Sequence, residues 1–341
     1  MIVLYILIAI LIFGFLIFIH ELGHFLFAKK YEVAITEFSL GMGPKLFSKK
    51  GKDGVDYSLR LFPIGGFVSM VGESEESDNP NSFNKKPAYQ RFIITLAGAV
   101  MNLLIGVLVM IILTSTNERF GTTKIGEFSE DATSSQYLLL EDEIIKVGNT
   151  KVHTASELSY EIMRKGYEPI TLTVIRNGNE IVIDNVKFPK TTSDGIIFGT
   201  MDFFVYGEDR TFSTIVKNSY YSCKSTIKMI WDSLYDLISG RYGMEQVSGP
   251  IGVTGAITNA AKTSTYSLFY LVVVISMNLG IFNLLPIPAL DGGSLLLLII
   301  EMITRKPIPQ KIEYGIKALG FILLMGFALI VSFKDIIFLF K

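Results

Sequence analysis

The chain has 341 residues, half of them hydrophobic and only 18% charged, with a formal net charge of -1 and a mean hydropathy of +0.44. Such a balance suits several membrane spans plus one small soluble domain, and it excludes a nucleic-acid binder built on a basic face. The single cysteine, Cys223, excludes an internal disulfide and a cysteine-rich structural zinc site.

The first element is an apolar run from Ile2 to Phe27. It lacks a positively charged start and a small-residue cleavage site, so it reads as a retained span and not as a signal peptide. Inside it stands His20-Glu21-Leu22-Gly23-His24. On a helix the two histidines share one face at the spacing that lets two imidazoles hold one zinc ion, with Glu21 beside it as a general base. A charged group at mid-bilayer costs about 2.5 to 3.5 kcal/mol, so three ionisable residues in one span call for a compensating role. Histidines that merely satisfy neighbours are a poor account of such a span. His153, the third histidine, lies in a polar segment and reads as a surface residue.

Next, Val55 to Met70 alternates partially around a Pro/Gly turn and predicts a short β-hairpin, followed by a solvated loop from Glu73 to Lys86. A second span runs from Phe92 to Leu113. The long segment from Thr116 to about Thr265 opens with a compact α+β domain, from about Gly121 to Lys190. Its strand-like Ile144 to Asn149 precedes a helix around Ala155 to Lys165 and a hairpin turning at Arg176-Asn177-Gly178-Asn179. Phe212 to Leu237 is amphipathic, carries Trp231, and predicts helices lying at the membrane interface. Apolar runs from Leu268 to Ile303 and from Ile316 to Phe333 complete four spans, the third region being too long for one straight crossing.

Lysines and arginines concentrate between the first two spans, from Lys29 to Arg91, and between the last two, at Arg305, Lys306 and Lys311. Both connections are therefore expected in the cytoplasm and the long segment outside. From Leu22 to Lys29 is about 10 Å at 1.5 Å per residue, which sets the motif below the cytoplasmic surface. A catalytic zinc needs a third protein ligand. Asp291 is the candidate, because Pro286 and Pro288 stop a helix before it and Gly292-Gly293 permit a tight turn after it. Glu301, next to Arg305 and Lys306, reads as an interfacial or snorkelling residue.

The chain resembles the site-two protease family of intramembrane zinc metalloproteases, in its bacterial regulator-of-sigma-E protease branch. The resemblance rests on F-I-H-E-L-G-H-F at Phe18 to Phe25, G-M-G-P at Gly41 to Pro44, P-I-G-G-F-V at Pro63 to Val68, G-P-I-G at Gly249 to Gly252, and N-L-L-P-I-P-A-L-D-G-G at Asn283 to Gly293. It implies zinc as cofactor, His20, His24 and Asp291 as its ligands, and Glu21 as the base that activates water. Asn283 falls where the family contacts the substrate backbone, while Asn278 and Asn102 are possible supports. A cytoplasmic, membrane-dipping hairpin is implied as well, with Gly65, Gly66 and Phe67 candidates for holding an unwound substrate strand by β-augmentation. The external domain is similar to a circularly permuted PDZ domain, except that Glu141-Asp142 stands where such domains carry Gly-Asp.

The expected fold is thus an α-helical polytopic membrane protein with about four transmembrane helices, that hairpin and one extracytoplasmic PDZ-like α+β domain. Its divisions are expected at 1–115 and 263–341 for the two halves of the membrane core, 116–205 for the external domain and 206–262 for juxtamembrane helices. The expected activity is endopeptidase cleavage within single-span proteins of the bacterial inner or plasma membrane, such as anti-sigma factors or remnant signal peptides, downstream of a site-one type protease. Lipid is an expected partner and nucleic acid is not. A non-hydrolytic zinc transporter or adaptor is the alternative, against which the base between the histidines argues.

Overall fold

The computed structural model describes residues 2–339 apart from Ser74, Glu76, Asp194 and Tyr242, the first two of which fall in the loop expected after the hairpin. The chain divides into two compact units, residues 1–109 with 243–341, and residues 110–242.

In the first unit, α1 (Ile2–Lys30) is followed by β1 (Ile35–Lys50), β2 (Asp56–Met70) and α2 (Ala88–Thr116), whose end passes into the second unit. After the second unit come α5 (Pro250–Thr263), α6 (Thr265–Leu284), α7 (Asp291–Thr304) and α8 (Gln310–Leu339). Four helices of the described residues are long and apolar enough to cross a membrane: Leu4–Lys30, Ala88–Thr116, Thr265–Leu284 and Lys311–Ile337. The long third region is broken as its prolines require: Pro286 and Pro288 cannot donate to a helical ladder, so α6 ends at Leu284 and α7 starts at Asp291. At 14 residues α7 spans about 21 Å, short of a bilayer.

The sheet corrects one expectation. Val55 to Met70 is not a self-contained hairpin; its strand β2 pairs along β1, and the reversal between them falls at residues 51–55. Both strands bend at left-handed glycines, Gly41 and Gly43 in β1 and Gly65 in β2. Because of those bends Ile35 to Leu40 pairs antiparallel with Gly66 to Met70, whereas Lys45 to Lys50 pairs with Asp56 to Arg60. Residues 66–70 form an outer strand whose other edge carries no strand among the described residues. A core of Phe25, Ala28, Val33, Phe38, Val68, Met70 and Ile94 locks this sheet onto α1 and the start of α2.

The second unit is built on the sheet order β10-β3-β4-β6-β7 from β3 (Arg119–Phe128), β4 (Glu143–Val147), β6 (Ile170–Arg176), β7 (Asn179–Val186) and β10 (Phe203–Asp209). Short β5 (Thr150–Lys151) pairs with β4, and β8 (Lys190–Ser193) pairs with β9 (Ile196–Gly199). Its core gathers Ile125, Leu138, Ile144, Leu158, Ile162, Leu172 and Val174 around α3 (Ala155–Lys165). The amphipathic stretch is one helix, α4 (Phe212–Ile238), started by a Thr211/Thr214 capping box. Asp236, almost fully buried, accepts from Arg164 Nη1 and Nη2 at 2.7 and 2.9 Å, and Asp232 accepts from the Tyr160 hydroxyl at 2.9 Å. These bonds tie α4 to α3, so the segment 206–262 divides, with α4 in the second unit and α5 in the first.

Candidate metal centre

His20 and His24 sit four residues apart on α1, in the half of the helix that packs on the sheet and on α2. Gly23 and Gly98 make that packing close: a Cβ on Gly23 would meet the Ala97 backbone, and one on Gly98 would run into both imidazoles. Each ring is held from behind. The Nδ1–H of His24 donates to the Ile94 carbonyl at 2.9 Å, which leaves Nε2 as the lone-pair nitrogen. His20 Nδ1 lies 3.3 Å from the side-chain Nδ2 of the fully buried Asn102, whose Oδ1 has no hydrogen-bond partner. With Nε2 as donor to a metal, Nδ1 carries the proton and the amide turns its oxygen toward it, which satisfies both groups. Ser276 on α6 in turn donates to the Asn102 backbone carbonyl at 2.7 Å.

Asp291 arrives from the other half of the membrane core. Its loop is tight: Ala289 has φ +76, and Gly292 and Gly293 press on the backbone of Leu285 and Ile287, leaving no room for a Cβ. Asp291 Oδ2 stands 3.2 Å from His20 Nε2 and 3.4 Å from His24 Nε2, and the two nitrogens are 3.3 Å apart. That oxygen is buried with no hydrogen-bond donor of its own. A tetrahedral zinc with ligands at about 2.0 to 2.1 Å has donor-to-donor edges of about 3.3 Å. The three donors therefore form one face of a zinc tetrahedron, and the set fits the ion the motif implies.

Glu21 follows His20 on the same helix and opens, with the three donors, into a cavity of about 590 Å³. Phe67 and Val68 of the outer strand line it, and the Val68 backbone amide reaches the Glu21 carboxylate. Gly66 lies against Glu21, since a Cβ there would be 3.2 Å from Glu21 Cγ. Gly65 is the left-handed bend just before it. Glu73 lines the same cavity, and burial pushes its carboxyl up, an effect that Lys317 opposes.

The site thus brings together His20, His24, Asp291, Glu21, Asn102, Gly66 and Phe67. Asn283 stays part-exposed near the end of α6 and does not line the cavity, and Asn278 is exposed on the same helix. His153 stacks on Tyr221 at 4.2 Å and lies 3.2 Å from Glu157. Sequence reasoning missed the Ile94 carbonyl and Gly98; the small-residue run Ala97-Gly98-Ala99 is the signal of close helix approach that points to them. Glu301, read as snorkelling, is instead paired with Arg91 at 2.5 Å.

The peptidase family M50 profile matches residues 8–327. A protein of Clostridium acetobutylicum bearing a zinc metalloprotease name is 35% identical over 98% of this chain and 97% of its own length. Zinc metalloprotease RasP of Geobacillus kaustophilus is 29% identical over 96% of each chain.

Proposed function

The chain belongs to peptidase family M50 and is a zinc metalloprotease, and from that premise we propose that it cuts peptide bonds of single-span proteins within the membrane. The observation that carries this reading is the position of His20, Glu21 and His24 on a helix of 27 residues apolar enough to cross a bilayer, with Asp291 at the start of α7 completing the donor triangle beside a polar cavity. His20, His24 and Asp291 would hold the zinc, which when bound would supply Lewis acidity. Glu21 takes the proton of the attacking water as its oxygen bonds to the carbonyl carbon, and delivers it to the amide nitrogen as the C–N bond breaks. One water is consumed, and a carboxylic acid and an amine leave, the acid then passing its proton to the amine.

A substrate helix hides its peptide bonds in its own ladder, so cleavage needs an unwound strand. The open edge of residues 66–70, with Phe67 and Val68 on the cavity, supports capture of that strand by β-augmentation. Asn283 is the further candidate contact, and Asn278 a support on α6. The basic connections support a metal centre toward the cytoplasm and a second unit outside the cell membrane. There that unit acts as a PDZ-like domain toward substrates already shortened by another protease, such as anti-sigma factors or remnant signal peptides. The exposed Phe212, Tyr220, Trp231 and Tyr235 of α4 support its lying at the interface. The test is mass-spectrometric mapping of the cut in a single-span substrate reconstituted in lipid. A cut within the apolar segment supports the proposal, and cuts confined to soluble flanks contradict it.

A further inference from the structure

The metal donors come from two separately built walls, and one ion pair joins the walls away from the metal. On α2, Arg91, Thr95, Gly98 and Asn102 recur at helical spacing on one face. Gly98 and Asn102 are the residues that back the two histidines, and Arg91 and Thr95 line the cavity beyond them. On α7, Asp291, Ser294, Leu298 and Glu301 recur in the same way, and all four line the cavity. The Arg91 guanidinium meets Glu301 at 2.5 Å, with both side chains only about 15% exposed (14% and 15%). Arg91 is itself fixed, since its Nε donates to the Lys86 carbonyl at 3.0 Å.

We propose that Arg91 and Glu301 are a positioning pair for the zinc site: by fixing the far end of α7 against α2, they set the Asp291 carboxylate on the two imidazoles. The Asp291 end of α7 hangs on a six-residue loop, residues 285–290, held by left-handed Ala289 and two glycines. That loop is tight at the Asp291 end, and the ion pair fixes the same helix at its other end. Glu301 lies ten residues along α7, about 15 Å from Asp291, so a slide of the helix or a turn about its axis at Glu301 is passed along the rigid helix to the carboxylate. Zinc ligands tolerate errors of only about 0.2 Å. The proposal rests on the zinc assignment and adds to it the residues that hold its halves in register.

The test is zinc affinity by chelator competition on the full chain in detergent, together with thermal melting of the zinc-free protein. Positioning predicts that Arg91→Gln and Glu301→Gln each weaken zinc binding about 10-fold or more, the range seen for outer partners of metal ligands. A mere field effect has opposite signs, because removing a cation near the site would tighten zinc and removing an anion would loosen it. Arg91→Gln is thus the decisive variant: weaker binding supports the pair as a positioning device, and unchanged or tighter binding overturns it. The exchange Arg91→Glu with Glu301→Arg restores the contact at constant charge and should bring affinity back to within about threefold; failure to do better than either single reversal also overturns the proposal. Zinc-bound wild type that cleaves nothing would count against the protease reading alone, since these readouts do not depend on cleavage.

Discussion

Replacing Gly98 by alanine tests the metal centre with one methyl group. The added Cβ would stand 2.6 Å from His24 Cε1 and 2.9 Å from His20 Cε1, where ordinary contact is 3.4 Å or more. Both rings must therefore retreat, His24 by roughly 0.8 Å or more and His20 by roughly 0.5 Å, several times the error a zinc ligand tolerates. Alanine is the better helix former by about 1 kcal/mol, so the zinc-free protein should melt no lower than wild type unless overpacking, typically 1 to 3 kcal/mol, outweighs it. Zinc affinity should fall at least about 100-fold, or about 2.8 kcal/mol at 1.4 kcal/mol per tenfold. Gly106→Ala on the same helix is the control: its Cβ meets the flexible Met277 side chain and no ligand, so it should keep wild-type zinc affinity. Competition against a calibrated chelator reads both. A Gly98→Ala protein that binds zinc within threefold of wild type would refute the reasoning.

At Ala289, whose φ of +76 suits glycine, Ala289→Gly should retain zinc and stability, whereas the β-branched Ala289→Val should cost about 1 to 3 kcal/mol in melting experiments and release zinc. Removing the buried carboxylate with Asp236→Ala takes away the two-point partner of Arg164, which keeps Asp232 at 3.4 Å, and should destabilise the second unit by about 1.5 to 3 kcal/mol, read by the fluorescence of Trp231, the chain's single tryptophan, on α4. Burial pushes the Cys223 thiol up to about 11, so it stays protonated at pH 8 and should resist alkylation until the protein is denatured; rapid labelling of the folded protein would contradict this.

The three donors of the candidate metal centre were legible because each sits in a short pattern with its own chemistry, H-E-x-x-H in an apolar run and an aspartate in a Pro/Gly break. The break between α6 and α7 was visible from Pro286 and Pro288 for the same local reason. What the sequence hid is long-range. Arg91 and Glu301 are 210 positions apart, and nothing local distinguishes a paired glutamate from a snorkelling one. The β1 and β2 register depends on left-handed Gly41, Gly43 and Gly65, whose bends let one long strand pair twice, so the Pro/Gly turn read as a hairpin tip is a corner. Likewise α4 shows its amphipathic face in sequence, but the contacts of Asp236 with Arg164 and of Asp232 with Tyr160 are what reveal that its polar face packs on α3. Glu141 explains the missing glycine of its Glu-Asp pair: it adopts φ +71 itself, while Asp142 stays buried against Arg176.

The most direct measurement is cleavage of a single-span substrate by purified protein in detergent, wild type against Glu21→Gln, at equal measured zinc content. The account predicts that the variant keeps its zinc and loses cleavage, because the three donors are intact and only the proton carrier is gone. Cleavage by Glu21→Gln at a rate near that of wild type would contradict it.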